Sequence, residues 1–220
     1  SEAMPWYSGP TLLNHLENVG SDGDRNLVDF RFPVQLVNRP TLNFRGFCGT
    51  VASGVVRVGD DVAVLPSGRR TKVKSIVTFD GELPFAFAGQ SVTLCLEHEI
   101  DIGRGHLLCH PNNMPHVGRS VEAMMVWMHE TPFVPGAPYL IKHTTQSVRG
   151  AFSKLHYRVD PNTLHRVEAA SLALNDIGRV TLEAFNPLMW DSYDRNRATG
   201  AFIVIDPLTH ATVAAGMIVD

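Results

Sequence analysis

From Asp29 to the end, the chain is written as short runs of alternating apolar and polar residues, broken again and again by glycine-centred turns. That feature constrains the fold more than any other. Strands have a side-chain period of two, and glycine supplies the backbone angles that tight turns need. "FRFPVQLV" (Phe30–Val37), "GFCGTVASG" (Gly46–Gly54), "DVAVL" (Asp61–Leu65), "TKVKSIVTF" (Thr71–Phe79) and "SVTLCLE" (Ser91–Glu97) read as strands. "VGDD", "PSGRR", "FDGE" and "AGQ" separate them. In Thr71–Phe79, Val73, Ser75, Val77 and Phe79 alternate with Lys72, Lys74 and Thr78, which predicts one buried and one wet face. With no helical period among these runs, the expected fold class is all-β, beginning with a small closed barrel.

"HPNNMPHVGRS" (His110–Ser120) has two prolines and little apolar content, so a domain boundary is placed there. A second strand set follows: Val121–His129, Pro138–Thr144, Gly150–Asp160 and Ile177–Phe185. In Gly150–Asp160 the alternation puts Ala151, Leu155, Tyr157 and Val159 on one face and Lys154, His156 and Arg158 on the other. "GAFIVID", a "PLTH" turn and "ATVAAGMIV" close the chain as a hairpin with Pro207 outside the ladder. The expected domains are a helix and linker over 1–28, a first barrel over 29–112 and a second over 113–220.

Only the start departs from this pattern. Ser8 and Gly9 read as caps, Pro10 suits a first helical turn, and Leu12, Leu13, Leu16 and Val19 recur at helical spacing until Gly20. "SDGDRN" then reads as a linker. One apolar stripe needs a partner surface, so the helix is expected to be frayed, packed on a barrel or covered by a second copy.

Charge narrows the partners. The net charge is −3, with 10 Lys+Arg against 12 Asp+Glu in residues 1–110 and 9 against 10 in residues 111–220. Neither half offers the basic field that nucleic acid or an anionic membrane would need. Three cysteines at unpatterned spacings do not form a disulfide framework and point to a reducing cytoplasm, and no apolar run approaches a membrane span. Gly-Lys and Asn-Lys occur nowhere, and no Asp is followed three residues later by Gly. The usual grip on a nucleoside triphosphate and its magnesium is therefore not in this sequence. In "HLLCH", His106 and Cys109 of an extended segment point to opposite faces, so surface histidines and a core cysteine are favoured over a zinc site. No catalytic, cofactor-binding or metal-binding residue is assigned.

Two segments read as interface. In "NRPTLNFRGFCG" (Asn38–Gly49), Arg39 and Arg45 flank Leu42 and Phe44 in an expected loop, an arrangement that calls for a covering surface. In "DSYDRNRATG" (Asp191–Gly200), Arg195, Asn196 and Arg197 serve either as a partner contact or as a capped turn pairing Arg with Asp191 or Asp194.

At this point the motifs resemble a known family. "GFCGTVASGVVRVGDDVAVLPSGRRTKVKSI" and "AFAGQSVTLCLEHEIDIGRGHLL" resemble the second domain of elongation-factor-Tu-like GTPases. "MPWYSGPTLL" resembles the last helix of the GTP-binding domain in that superfamily. "SIVTFDG", "EIDIGRG", "LNDIGRV" and "YDRNRATGAFIVIDPLTHATVAAGMI" narrow the likeness to the large, GTPase-type subunits of bacterial sulfate adenylyltransferase. The resemblance implies two consecutive barrels behind a remnant helix, with GTP and magnesium held in a domain that is absent. It also implies a smaller catalytic partner subunit and the coupling of GTP hydrolysis to adenosine 5′-phosphosulfate formation for cysteine synthesis. The alternative is the barrel pair of a translation-type factor that binds tRNA.

Overall fold

The computed structural model describes residues 4–19, 26–41 and 44–219. Helix α1 (Leu12–Asn18) precedes sixteen strands among these residues. The first nine are β1 (Arg31–Thr41), β2 (Phe44–Thr50), β3 (Val55–Arg57), β4 (Asp61–Leu65), β5 (Arg69–Thr78), β6 (Gly81–Leu83), β7 (Phe85–Phe87), β8 (Ser91–Leu96) and β9 (Leu107–Cys109). The others are β10 (His116–Trp127), β11 (Pro138–His143), β12 (Gln146–Val159), β13 (Arg166–Val167), β14 (Ile177–Trp190), β15 (Ala201–Ile205) and β16 (Thr212–Ile218).

Both strand sets close on themselves. The first sheet runs β4-β9-β1-β2-β8-β5, with β6 added outside β5, and a β4–β5 pairing joins its ends into a six-stranded barrel. The second runs β11-β15-β16-β10-β14-β12, with β13 outside β12, and β11–β12 closes it the same way. Closure removes the exposed edges that an open sheet of this size would present. Phe32, Val34, Phe47, Ile76 and Leu94 fill the first barrel; Trp127, Phe133, Ile141, Phe152 and Leu182 fill the second. Each of these large side chains contributes roughly 1.5–3 kcal/mol by leaving water.

Bulges correct two of the alternation readings. A register shift between Val73 and Ser75 rotates β5, so Val73 is followed into the core by Ile76, while Val77 is half-buried and Phe79 fully exposed. On β12, shifts at Phe152/Lys154 and Leu155/Tyr157 break the period, and Phe152 rather than Ala151 faces the core. One extra residue inverts every later side chain, which no count along the sequence anticipates. In β14, Gly178, Val180, Leu182 and Ala184 alternate inward. The closing hairpin pairs β15 with β16.

Asn38–Gly49 is not a loop: β1 runs through Pro40 to Thr41, and β2 starts at Phe44. Leu42 of this segment lies outside the described residues. Helix α1 also starts later than expected, because Thr11 caps it by accepting the Asn14 amide, which leaves Ser8, Gly9 and Pro10 ahead of the helix. No residue of α1 is buried. The expected stop at Gly20 and the linker through Arg25 lie outside the described residues.

Candidate functional site: the seam between the barrels

The two barrels meet along a joint that is apolar at one end and ionic at the other. Ala63 and Leu65 of β4 and Leu107 and Cys109 of β9 turn away from the first barrel's core and pack on Met189 of β14. That is why "VAVL" and "LLC" read as continuous apolar runs, since both of their faces are covered. Burial pushes the Cys109 thiol up to about 11.

Arg31, at the start of β1, is fully buried. Its Nε and Nη2 donate to the two carboxylate oxygens of Asp191, just past β14, each at 2.8 Å. Nη1 donates to the Phe30 and Asn113 carbonyls at 2.9 and 2.8 Å. The Thr199 hydroxyl adds a 2.7 Å hydrogen bond to Asp191. A buried charge pair is tolerated only when its remaining donors and acceptors are met, and here they are.

A second pair lies beside the first. Arg195 donates from Nε and Nη2 to Asp29 at 2.9 and 2.8 Å. Asp29 is nearly buried, while Arg195 is half-exposed. Asn113, in the segment joining the barrels, ties the pairs together: its amide donates to Asp29 and its Oδ1 accepts from Arg195 at 3.1 Å. Asn26 also donates to Asp29, at 2.7 Å. The Arg195 guanidinium, with Asn113 and Asn26, holds the Asp29 carboxyl well below the usual carboxylate range. On the far side, Asn196 Nδ2 donates to Ser53 Oγ at 2.7 Å, and Ser53 Oγ donates to the Asp29 carbonyl. Gly54 must be glycine here: its φ is +75°, and a Cβ would lie 2.4 Å from the Phe30 backbone.

The sequence-derived interface residues fall into two places. Arg195, Asn196 and Arg197 line a cleft of about 720 Å³ between the barrels, with Asp29 and Thr50–Ala52 opposite. Arg197 also lies over the Tyr193 ring, 5.9 Å from its centroid. Asp191 does pair with an arginine, Arg31, 160 positions upstream. Phe44 lines a separate hollow on the first barrel's outer face, with Asn38 and Phe79. Arg45 lies over Phe47, and Arg39 reaches Glu99 at 3.8 Å on the surface.

"HLLCH" is dispersed. His106 faces the Gly103 amide, Cys109 packs in the seam, and His110 lies against Phe30. Among the described residues no three His, Cys, Asp or Glu side chains gather as metal ligands. Sequence reasoning missed Asp29, Arg31 and Asn113. The available signal was an arginine inside the apolar run "FRFPV", at a position whose neighbours are all core.

Two sequential closed barrels joined by such a seam form a tandem-barrel architecture. Residues 120–219 match the GTP-eEF1A C-terminal domain-like family. A solved structure of Sup35 complexed with GMPPNP superposes with a TM-score of 0.79 over 100% of this chain and 54% of its own, at 20% identity, which is a likeness of fold. Kinship is closer elsewhere. The whole chain is 57% identical to the bifunctional enzyme CysN/CysC of Rhodopirellula baltica. It is also 53% identical to sulfate adenylyltransferase subunit 1 of Bacteroides fragilis and to that of Saccharophagus degradans. The chain is thus a homologue of sulfate adenylyltransferase subunit 1 along all 220 residues. It spans 34% of the first relative's length and just under half of the others'.

Proposed function

We propose that these residues are the two barrel domains of a GTPase-type sulfate adenylyltransferase subunit. In this reading a GTP-binding domain elsewhere in the parent holds GTP and magnesium. A smaller catalytic subunit joins ATP and sulfate into adenosine 5′-phosphosulfate in the cytoplasm, and GTP hydrolysis drives that unfavourable step. The barrels perform no chemistry; they are the frame against which the switching domain moves. The nucleotide does not fit the residues present, because the chain has neither a Gly-Lys phosphate loop nor an Asn-Lys guanine contact.

The observation that carries this reading is 53% identity along the whole chain to proteins named sulfate adenylyltransferase subunit 1. The seam supports the mechanical part: coupling between distant sites needs a body that does not yield, and two bidentate ion pairs cross between the barrels. The β1–β2 hairpin, with Arg39, Phe44 and Arg45, is the assigned contact for the catalytic subunit or the GTP-binding domain, and the Arg195–Arg197 loop is the second candidate.

The test uses the intact parent subunit with its catalytic partner. Adenosine 5′-phosphosulfate formation is expected to depend on GTP, whereas the 220-residue chain alone should give no heat of GTP binding in calorimetry. Combining Phe44→Ala with Arg45→Glu should weaken co-purification and GTP stimulation together; if both stay unchanged, the hairpin assignment falls. Salt-sensitive tRNA retention in a filter assay would favour the translation-factor alternative instead.

A further inference from the structure

Among the described residues, three buried side-chain atoms have no hydrogen-bond partner: His143 Nδ1, Thr145 Oγ1 and Gln146 Oε1. All three lie within four consecutive residues, at the tip joining β11 to β12. That concentration is unusual, because buried polar groups are almost always paired.

The chemistry of each atom is fixed by its neighbours. His143 is completely buried, and its Nε2 lies 2.7 Å from the Thr199 carbonyl. A carbonyl only accepts, so Nε2 carries the hydrogen and Nδ1 is a bare acceptor. Gln146 donates its amide nitrogen to the Pro187 carbonyl at 3.0 Å, which leaves Oε1 as a second acceptor. His143 and Gln146 are direct cross-strand partners, so their side chains leave the hairpin on one face. Two acceptors cannot satisfy each other. The Thr145 hydroxyl, which can donate, is the third member of the set.

We infer that one ordered water molecule occupies this tip, donating to His143 Nδ1 and Gln146 Oε1 and accepting from the Thr145 hydroxyl. One water supplies two donors and an acceptor, which meets all three atoms and matches the three or so bonds a buried water makes. A cation fits less well. The nearby Asp191 carboxylate is already filled by Arg31 and Thr199, so no negative charge remains to balance it. The tip is also constrained: Thr144, a β-branched residue, sits at φ +50°, a conformation kept only where surroundings enforce it. Gln146 rests on Gly105 of the first barrel, so the water sits where the second barrel's hairpin meets its neighbour. The water therefore braces the β11–β12 tip from within the second barrel, and His143 connects that tip through Thr199 to the Asp191 ion pair.

A high-resolution crystal structure of this chain tests the inference directly. The expected result is one ordered water within about 2.7–3.2 Å of all three atoms. Protein donors turned onto Nδ1 and Oε1, or density that exchanges for rubidium, would overturn it. Nitrogen-15 NMR of the His143 ring gives a second readout. The unaltered chain should show a neutral ring with a hydrogen-bonded, unprotonated Nδ1. Gln146→Glu, which puts a carboxylate opposite Nδ1, should make the ring protonate at higher pH and expel the water; an unchanged titration would mean that the two side chains do not share one space.

Discussion

The seam and helix α1 break the same rule in opposite directions. Between the barrels, charged residues are inside: Arg31 is fully buried and Asp191 nearly so. On α1, apolar residues are outside: Leu12, Leu13 and Leu16 are 60–73% exposed. The difference lies in what the chain itself supplies. Around Arg31, residues from β1, the Asn113 segment and the end of β14 converge, so every charge finds a partner. Around α1 none of the described residues converges to cover it, and none of its own residues is buried. An apparent violation answered within the fold is part of its stability. One left unanswered adds little to it.

Breaking the answered violation should have the largest effect. Arg31→Met strands Asp191 in a buried site and should cost about 3–5 kcal/mol in urea unfolding. Adding Asp191→Leu to Arg31→Met should recover most of that loss, because a well-packed apolar pair can replace a buried ionic one. If the double variant is as unstable as the single, Arg31 matters through its Phe30 and Asn113 contacts rather than through the charge pair.

A smaller effect is expected at the half-exposed pair. Arg195→Ala should cost roughly 1.5–3 kcal/mol at neutral pH, the range for hydrogen bonds to charged groups. The sign of its pH dependence follows from Asp29. A carboxyl held below its ordinary 3.8 stabilises the fold above that pH and loses this contribution as pH falls. The gap between parent and Arg195→Ala should therefore be full above about pH 4 and narrow in more acid solution. Thermal melts across pH 2.5–7, chosen as roughly bracketing the ordinary carboxylate range, measure it. A gap that does not change with pH would detach Arg195 from Asp29.

The smallest effect sharpens the comparison from the other side. Leu13→Gln with Leu16→Gln on α1 should change stability by no more than about 0.5 kcal/mol, as substitutions of exposed residues usually do. A larger loss would show that the stripe is covered in solution.

Local patterning went far with this chain. Strand positions, glycine turns and the closing hairpin are carried by period-two alternation and turn chemistry, both of which act over a few residues. β14 shows this well, because Gly178, Val180, Leu182 and Ala184 turn inward as their spacing requires. β5 and β12 escaped because a bulge is imposed by the neighbouring strand, and the bulged strand carries no separate mark of it. The expected loop at Asn38–Gly49 is instead a hairpin, because pairing with β2 sustains a strand through Pro40.

What the sequence determined by itself is the all-β architecture, the capacity for a short N-terminal helix and the kinship carried by the closing motifs. Only the tertiary structure decided how the barrels join. Arg31 and Asp191 stand 160 positions apart, as His143 and Thr199 stand 56 apart. Side chains that distant are matched by the folded path of the backbone, and electrostatic complementarity has no period along a sequence by which to announce itself.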